Sequence, residues 1–236
     1  MKIAFYTPYL DTAGGGEKYI LTAAEYLSVK HNIDVLLDTH LVTLDLESIK
    51  KRITDLHNLD LSKINFVRAP LGHGSSSIKR LLFLRKYDFL FCLTDGSIFY
   101  SSAKKSILHL QSPIKNVNNN PKGKIKLSSW KMIIYNSQFT KSEAEKSWRI
   151  KGLVVYPPVS VDEIKPLKKK KQIVSVGRFF GFLKDKKHEF LIDSFKELIK
   201  RNNLKDWSLH LVGGVTAGDQ PYLDELKKMS EGLPIF

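Results

Sequence analysis

Ile3-Ala4-Phe5-Tyr6-Thr7 is a short apolar run with β character. It leads through Pro8 into a loop signal, Asp11 to Gly16, that ends in Gly14-Gly15-Gly16. From Glu17 to Lys30 the residues Tyr19, Ile20, Ala23, Ala24 and Leu27 recur at helical spacing. Strand, glycine loop and helix, in that order, are the opening of a β/α unit with a parallel sheet. Glycines there let a backbone come close to a ligand, and the helix N-terminus offers unpaired N–H groups and positive dipole potential. Gly14, Gly15, Gly16 and Glu17 are therefore candidates for a phosphate or sugar cradle; the other reading is a surface loop. The spacing does not fit G-x-G-x-x-G, because Lys18 and Tyr19 fill the later positions. Asp38 is the only acid placed for a ribose, which weakens a dinucleotide oxidoreductase.

Working outward, the pattern repeats. Strands are expected at Ile33–Leu37, Ile64–Val67, Asp88–Leu93, Ser106–Leu110, Met132–Tyr135 and Leu153–Tyr156. Helical stretches are expected at Leu46–Leu56, Lys79–Arg85 and Ser137–Trp148, with Asn136-Ser137 as a helix cap and Asn116–Gly123 as a polar loop. Alternating strands and helices predict an α/β fold with a mainly parallel sheet covered on both faces. Three prolines and a lysine run between Pro157 and Lys171 mark a boundary. The expected organisation is a parallel-sheet α/β domain at 1–158, a linker at 159–171 and a second, partial domain of the same pattern at 172–236. In the second, Ile173–Val176 and Trp207–Val212 read as strands, His188–Arg201 and Tyr222–Ser230 as helices, and Pro234-Ile235-Phe236 as the first step of another strand. Two strands and a stub leave an open sheet edge, so this domain is expected to be truncated.

The 236 residues are 42% hydrophobic and 26% charged, which suits a soluble chain able to bury a sizeable core. No stretch is long and apolar enough to span a bilayer, and the N-terminus lacks a signal-peptide pattern. Cys92 is the only cysteine and sits in an apolar run, so it reads as a core residue in a reducing, cytoplasmic setting. The net charge of +14 suits anionic lipid or a phosphorylated substrate, or it reflects solvated lysines. Nucleic acid is disfavoured, since no recognition motif accompanies the charge and the aromatics fall in core elements.

Two further motifs carry chemistry. Val176-Gly177-Arg178-Phe179, followed by Lys184-Asp185-Lys186-Lys187 ahead of a helix, puts an arginine and lysines at a strand-to-helix loop. Arginine's planar fork and lysine's point charge suit a diphosphate. His109, in Leu108-His109-Leu110-Gln111-Ser112-Pro113, lies near the C-terminal end of a strand, where open α/β sheets bind ligands.

Together these segments resemble the retaining glycosyltransferases of family 4, of the GT-B fold. Thr12-Ala13-Gly14-Gly15-Gly16-Glu17-Lys18, His109 to Pro113, Tyr135-Asn136-Ser137-Gln138-Phe139-Thr140, Val155-Tyr156-Pro157-Pro158-Val159, Ser175 to Phe179 with Lys186, and Leu211-Val212-Gly213-Gly214 occur in that family's order. The glycine loop and the Tyr-Pro-Pro segment are most similar to the subset with dolichol-linked mannosyltransferases. The resemblance implies a Rossmann-like, acceptor-side N-terminal domain, an incomplete Rossmann-like C-terminal domain that binds the nucleotide sugar, and no bound metal or other cofactor. It implies that Arg178 and Lys186 stabilise a leaving diphosphate, with Lys187 as the alternative lysine, and that His109 contacts the transferred sugar. Gly177, Gly213 and Gly214 would line the donor side, and Gly14 to Glu17 the donor or acceptor. The family's later acidic motif lies beyond residue 236. The expected function is hexose transfer, with retention, from a UDP- or GDP-sugar to a glycan or lipid-linked acceptor. The second reading is a non-catalytic binding module of the same fold. The expected location is cytoplasmic, with peripheral contact to the inner face of an anionic membrane through Lys79, Arg80, Arg85, Lys86, Lys122, Lys124 and Lys126, near Trp130.

Overall fold

The first strand, β1 (Lys2–Tyr6), is the centre from which the sheet grows in both directions. In the computed structural model β1 pairs in parallel with β2 (Asn32–Leu37) on one side and β4 (Phe89–Thr94) on the other. Outside β2 lies β3 (Ile64–Arg68); outside β4 lie β5 (Lys105–Leu110), β6 (Met132–Tyr135) and β7 (Leu153–Val154). The order is β3-β2-β1-β4-β5-β6-β7, parallel throughout. The described residues are all but 13, 42–44, 95, 114–119, 149–151, 160, 162, 163, 203 and 205. Ala13 of the glycine-loop motif, residues 116–119 of the expected polar loop, and 160, 162 and 163 of the expected linker lie outside them.

Successive strand residues serve opposite faces, so the sheet is buried twice. Ile3, Phe5, Ile33, Val35, Phe91 and Leu93 pack on α1 (Gly15–Ser28) and α2 (Leu46–His57). Ala4, Tyr6, Leu36, Leu90, Cys92 and Leu108 form the core of the other face, on the side of α3 (Ser77–Leu84) and α4 (Pro121–Ser128). Cys92 is buried there, as its apolar run predicts. Helix starts follow the local chemistry. Asp45 caps α2 by accepting from Ser48 N, and Ser76 caps α3 by accepting from Lys79 N. Residues 121–123, expected as the end of a polar loop, begin a helix instead. Asn120 accepts from Gly123 N at 2.7 Å and Pro121 takes the first turn, where its missing N–H costs nothing. Ser137 accepts from Thr140 N at the start of α5 (Gln138–Trp148), which is the expected cap.

The chain divides into two compact units, Met1–Ser160 and Val161–Phe236. The second holds parallel strands β8 (Gln172–Val176) and β9 (Ser208–Val212), with α6 (His188–Asn202) and α7 (Gln220–Ser230). Both helices contribute to one core with Phe179, Ile192, Tyr222 and Leu226. Ile235 makes a single parallel bridge to Leu209, where the third strand was expected to start.

Buried acidic side chains are built into the first unit, Asp34 among them. Asp34 faces the α3 side in β2 and is 4% exposed. It accepts from Tyr87 Oη at 2.8 Å and Asn65 Nδ2 at 3.1 Å, and lies 3.5 Å from Lys2 Nζ. Burial, together with this carboxylate, pushes the Tyr87 hydroxyl well above its ordinary pKa. Tyr87→Phe should leave the carboxylate short of a donor and lower stability by about 1.5–3 kcal/mol, read from urea unfolding.

Candidate functional site

The strand order reverses at β1, because β2 and β4 leave it on opposite sides. The crevice outside the carboxyl ends of β1 and β4 is the switch point where open parallel sheets bind ligands. The glycine loop lies there. Gly14 is the N-cap of α1, and Glu17 is its third residue. Glu17 is buried; its two oxygens accept from Thr7 Oγ1 and from Gly14 N, both at 2.9 Å. This is the acidic half of a capping box, with a second tie back to the end of β1. The Glu17 carboxylate therefore shapes the loop.

Gly16 lies against the end of β5. A Cβ added there would stand 2.6 Å from Gln111 Oε1 and 2.9 Å from Leu93 Cδ2. Gln111 is itself placed by Asn136, whose Nδ2 donates to the Gln111 carbonyl at 2.8 Å. Gly15, in contrast, has open space where a Cβ would stand. The first turn of α1 thus presents glycine backbone beside Gln111, an arrangement able to receive an anion or a sugar hydroxyl.

His109 sits one residue before the end of β5 and is fully buried. Its ring stacks on Tyr19 at 4.3 Å with planes 6° apart, and Phe91 covers it at 5.7 Å. Neither ring nitrogen has a hydrogen-bond partner among the described residues. Burial pushes its pKa down to about 4, so the ring is neutral at pH 7.

A cavity of about 470 Å³ opens beside β1 and β2, lined by Pro8, Tyr9, Asp38, Thr39 and His73. Asp38, the one acid considered for a ribose, is buried and accepts from Tyr6 Oη at 2.6 Å and from Thr39 Oγ1 at 3.2 Å. Gly72, with φ +91, lies so close that a Cβ would stand 1.9 Å from Asp38 Oδ1. Tyr9, Thr39 and His73 come from three different loops and carry no motif. Only their position after strand ends signals them.

In the second unit the strand ends build a cationic edge. Gly177 N donates to the Val212 carbonyl at 2.8 Å, and Phe179 N to that of Gly214 at 3.0 Å. A Cβ on Gly213 would lie 2.0 Å from the Gly177 carbonyl oxygen, so this crossing requires glycine. A Cβ on Gly177 would lie 2.8 Å from Lys186 Cγ. The Lys186 stem thus crosses Gly177, next in sequence to Arg178. Arg178 is exposed and lies over the Phe180 ring at 4.8 Å. Lys186 Nζ is 3.6 Å from Asp185 and half exposed. Lys184 is engaged elsewhere, 2.8 Å from Glu189. Lys187 has φ 53, and its carbonyl accepts from Leu191 N at the start of α6. Behind this edge His188 is buried and stacks on Phe179 at 4.6 Å; burial pushes its pKa down.

No protein-family model matches the chain. No curated protein matches its sequence. Solved structures do share its fold. A glycosyltransferase from Rickettsia africae ESF-5 superposes with a TM-score of 0.62 at 15% identity, over 100% of this chain and 67% of that one. A TarM variant from S. aureus, in complex with fondaparinux, alpha-GlcNAc-glycerol and UDP, gives 0.64 at 8% identity, over 100% and 76%. S. aureus MnaA with UDP gives 0.52 at 10%, over 99% and 68%. The fold is α/β of the GT-B class, with a Rossmann-like parallel sheet in the first unit.

Two measurements follow. His109 takes up a proton at about pH 4 when folded and at its ordinary 6.5 when unfolded. Its contribution is complete above pH 6.5 and is lost as pH falls towards 4, at up to about 1.4 kcal/mol per pH unit. Urea unfolding of His109→Phe should show a shallower pH dependence across that window. Secondly, Gly213→Ala should cost about 1–3 kcal/mol, because a backbone carbonyl cannot move aside. Gly177→Ala should cost less, because it meets a flexible lysine stem; thermal melts of the two variants compare them.

Proposed function

We propose that this chain binds the diphosphate of a UDP- or GDP-sugar and belongs to a glycosyltransferase that moves a hexose, with retention, to a glycan or lipid-linked acceptor. The observation that carries the reading is the Lys186 stem laid across Gly177 beside the exposed Arg178, at the carboxyl end of β8. Two cations held at a strand end, ahead of a helix N-terminus, suit a diphosphate. As the sugar–phosphate bond breaks, negative charge grows on the departing diphosphate. Arg178 and Lys186 stabilise that charge more strongly than the ground state, and that difference is the catalysis they supply. Lys187, exposed and adjacent, is the alternative lysine. Gly177 admits the Lys186 stem, Gly213 admits the Gly177 carbonyl, and Gly214 has open space where a Cβ would stand, so a ligand there meets backbone. The reading uses no metal or other cofactor, because the protein's own cations fill that electrostatic role.

In the first unit, Gly14, Gly15 and Gly16 with the α1 N-terminus receive the acceptor or the donor phosphates, with Glu17 holding the loop in shape. His109, neutral, meets the transferred sugar once Tyr19 and Phe91 uncover it. The cavity of Tyr9, Asp38, Thr39 and His73 suits the acceptor, since an aromatic ring beside polar side chains fits a carbohydrate. UDP in the TarM and MnaA structures, and alpha-GlcNAc-glycerol in the former, support a nucleotide and a sugar as ligands. Retention and the mannosyltransferase subset rest on the sequence resemblance. A cytoplasmic chain in peripheral contact with an anionic membrane suits a lipid-linked acceptor; no helix among the described residues is long and apolar enough to cross a bilayer.

Calorimetric titration with UDP and GDP tests the diphosphate site. One of them should bind, and Arg178→Ala with Lys186→Ala should weaken it about 100-fold or more, since each charge-assisted bond is worth about 1.5–3 kcal/mol. Affinity unchanged in that double variant overturns the assignment. Release of UDP or GDP from the matching donor in the presence of acceptor separates an enzyme from a binding module.

A further inference from the structure

The face carrying α3 and α4 departs from ordinary surface patterning. In α3, Ile78 and Leu82 are 71% and 63% exposed. They stand four residues apart, one above the other on the outward side. Lys79 and Arg85 flank them, both exposed. In α4 the outward apolar residue is Ile125, at 60% exposure, among the exposed Lys122, Lys124 and Lys126. Neither helix contains an acid. Single exposed apolar residues need no explanation; the same arrangement on two neighbouring helices does.

The two helices are joined by the segment between β4 and β5. Ser102 Oγ donates to the Leu81 carbonyl at 2.5 Å, and Ser101 N to Ser129 Oγ at 2.9 Å. The groups that would mask the pattern are turned inward. Arg80 lies over the Phe99 ring at 5.3 Å. Trp130 packs edge-on against that ring and donates Nε1–H to the Phe99 carbonyl at 3.0 Å. Both had been expected on the basic surface; instead they are its support. Lys86 is likewise occupied, 3.7 Å from the Phe83 ring centroid. What faces outward is aliphatic tips and long-stemmed cations.

We propose that this face seats the first unit on an anionic phospholipid surface. Ile78, Leu82 and Ile125 enter the acyl boundary, and Lys79, Arg85 and the three α4 lysines reach the phosphates. The occupant follows from charge complementarity: apolar tips separated by lysines fit a fluid interface, whereas a protein groove would want one continuous apolar stripe. The placement also suits the site. The loop leading into α3 contains His73, which lines the cavity beside β1 and β2, and Ser75 Oγ closes that loop on the Gly72 carbonyl at 2.9 Å. A membrane against α3 would bring a lipid-linked sugar to the cavity mouth, and this last step rests on the acceptor reading above.

Co-sedimentation of the full chain with vesicles tests it without donor or acceptor, so its outcome is separate from that of sugar transfer. Binding is expected to phosphatidylcholine–phosphatidylglycerol vesicles, not to phosphatidylcholine alone, and it should fall as salt rises. Ile78→Ser with Leu82→Ser should weaken it tenfold or more while the thermal melt is unchanged. Lys122→Ser, Lys124→Ser and Lys126→Ser together should weaken it about tenfold or more and flatten the salt dependence. Lys200→Ser with Lys227→Ser, in α6 and α7, should leave it unchanged. Absence of binding to the mixed vesicles, retention on an anionic polymer alone, or equal loss in the α6–α7 control overturns the proposal.

Discussion

The Glu17 carboxylate ties the end of β1 to the start of α1 at the switch point of the sheet. One oxygen takes the Thr7 hydroxyl at the end of β1, and the other takes the Gly14 amide at the start of α1. Strand and helix are thereby joined through a buried charged group whose lone pairs are occupied by designed donors. A buried carboxylate is costly unless it is hydrogen-bonded, so the strand-to-helix angle and the loop shape are coupled. Because β1 is the strand at which the order reverses, this coupling lies at the switch point of the sheet.

Glycines then decide what may approach that edge, and the two units use the same device on different partners. Gly16 admits Gln111 and Leu93 to the first turn of α1. Gly213 admits the carbonyl of Gly177, and Gly177 admits the stem of Lys186. In each case the missing Cβ is replaced by an atom from another strand end or loop. The result is a dense, backbone-lined edge with polar tips at its rim. Beside Gly15 and Gly214 the space stays open, and there a phosphate or a sugar ring can reach backbone.

Much of this was legible because parallel sheets write strongly in sequence. Strands buried on both faces become apolar runs, and Ile33–Leu37 and the run around Cys92 could be read as such. The glycine loop and the Gly177-Arg178 edge were legible for a related reason: close backbone approach permits only one residue type. Three features were hidden. The start of α4 is local capping by Asn120 ahead of Pro121, inside a stretch whose composition reads as loop. The inward turn of Arg80 and Trp130 depends on Phe99, which is distant in sequence from Arg80 and Trp130 alike. The cavity of Tyr9, Asp38, Thr39 and His73 is assembled from separate segments, and no spacing rule links residues that only the β1–β2 and β2–β3 pairings bring together.

His109 shows how position and burial bear on a functional reading. Its place near the end of β5 made it a candidate, and the structure supplies a second property that sequence could not. The ring is sealed by Tyr19 and Phe91, neutral, with no partner for either nitrogen among the described residues. A sealed imidazole is poorly suited to proton transfer with solvent, because charging it would cost the desolvation that already lowers its pKa. It is well suited to offering a hydrogen bond to a neutral hydroxyl, which asks for no change of charge. The helix that seals it, α1, begins at the glycine loop, so a ligand bound at Gly15 and Gly16 would act on the element that carries Tyr19. The histidine and the glycines, separate as sequence motifs, are linked by α1, whose first turn is the glycine loop and whose Tyr19 stacks on His109.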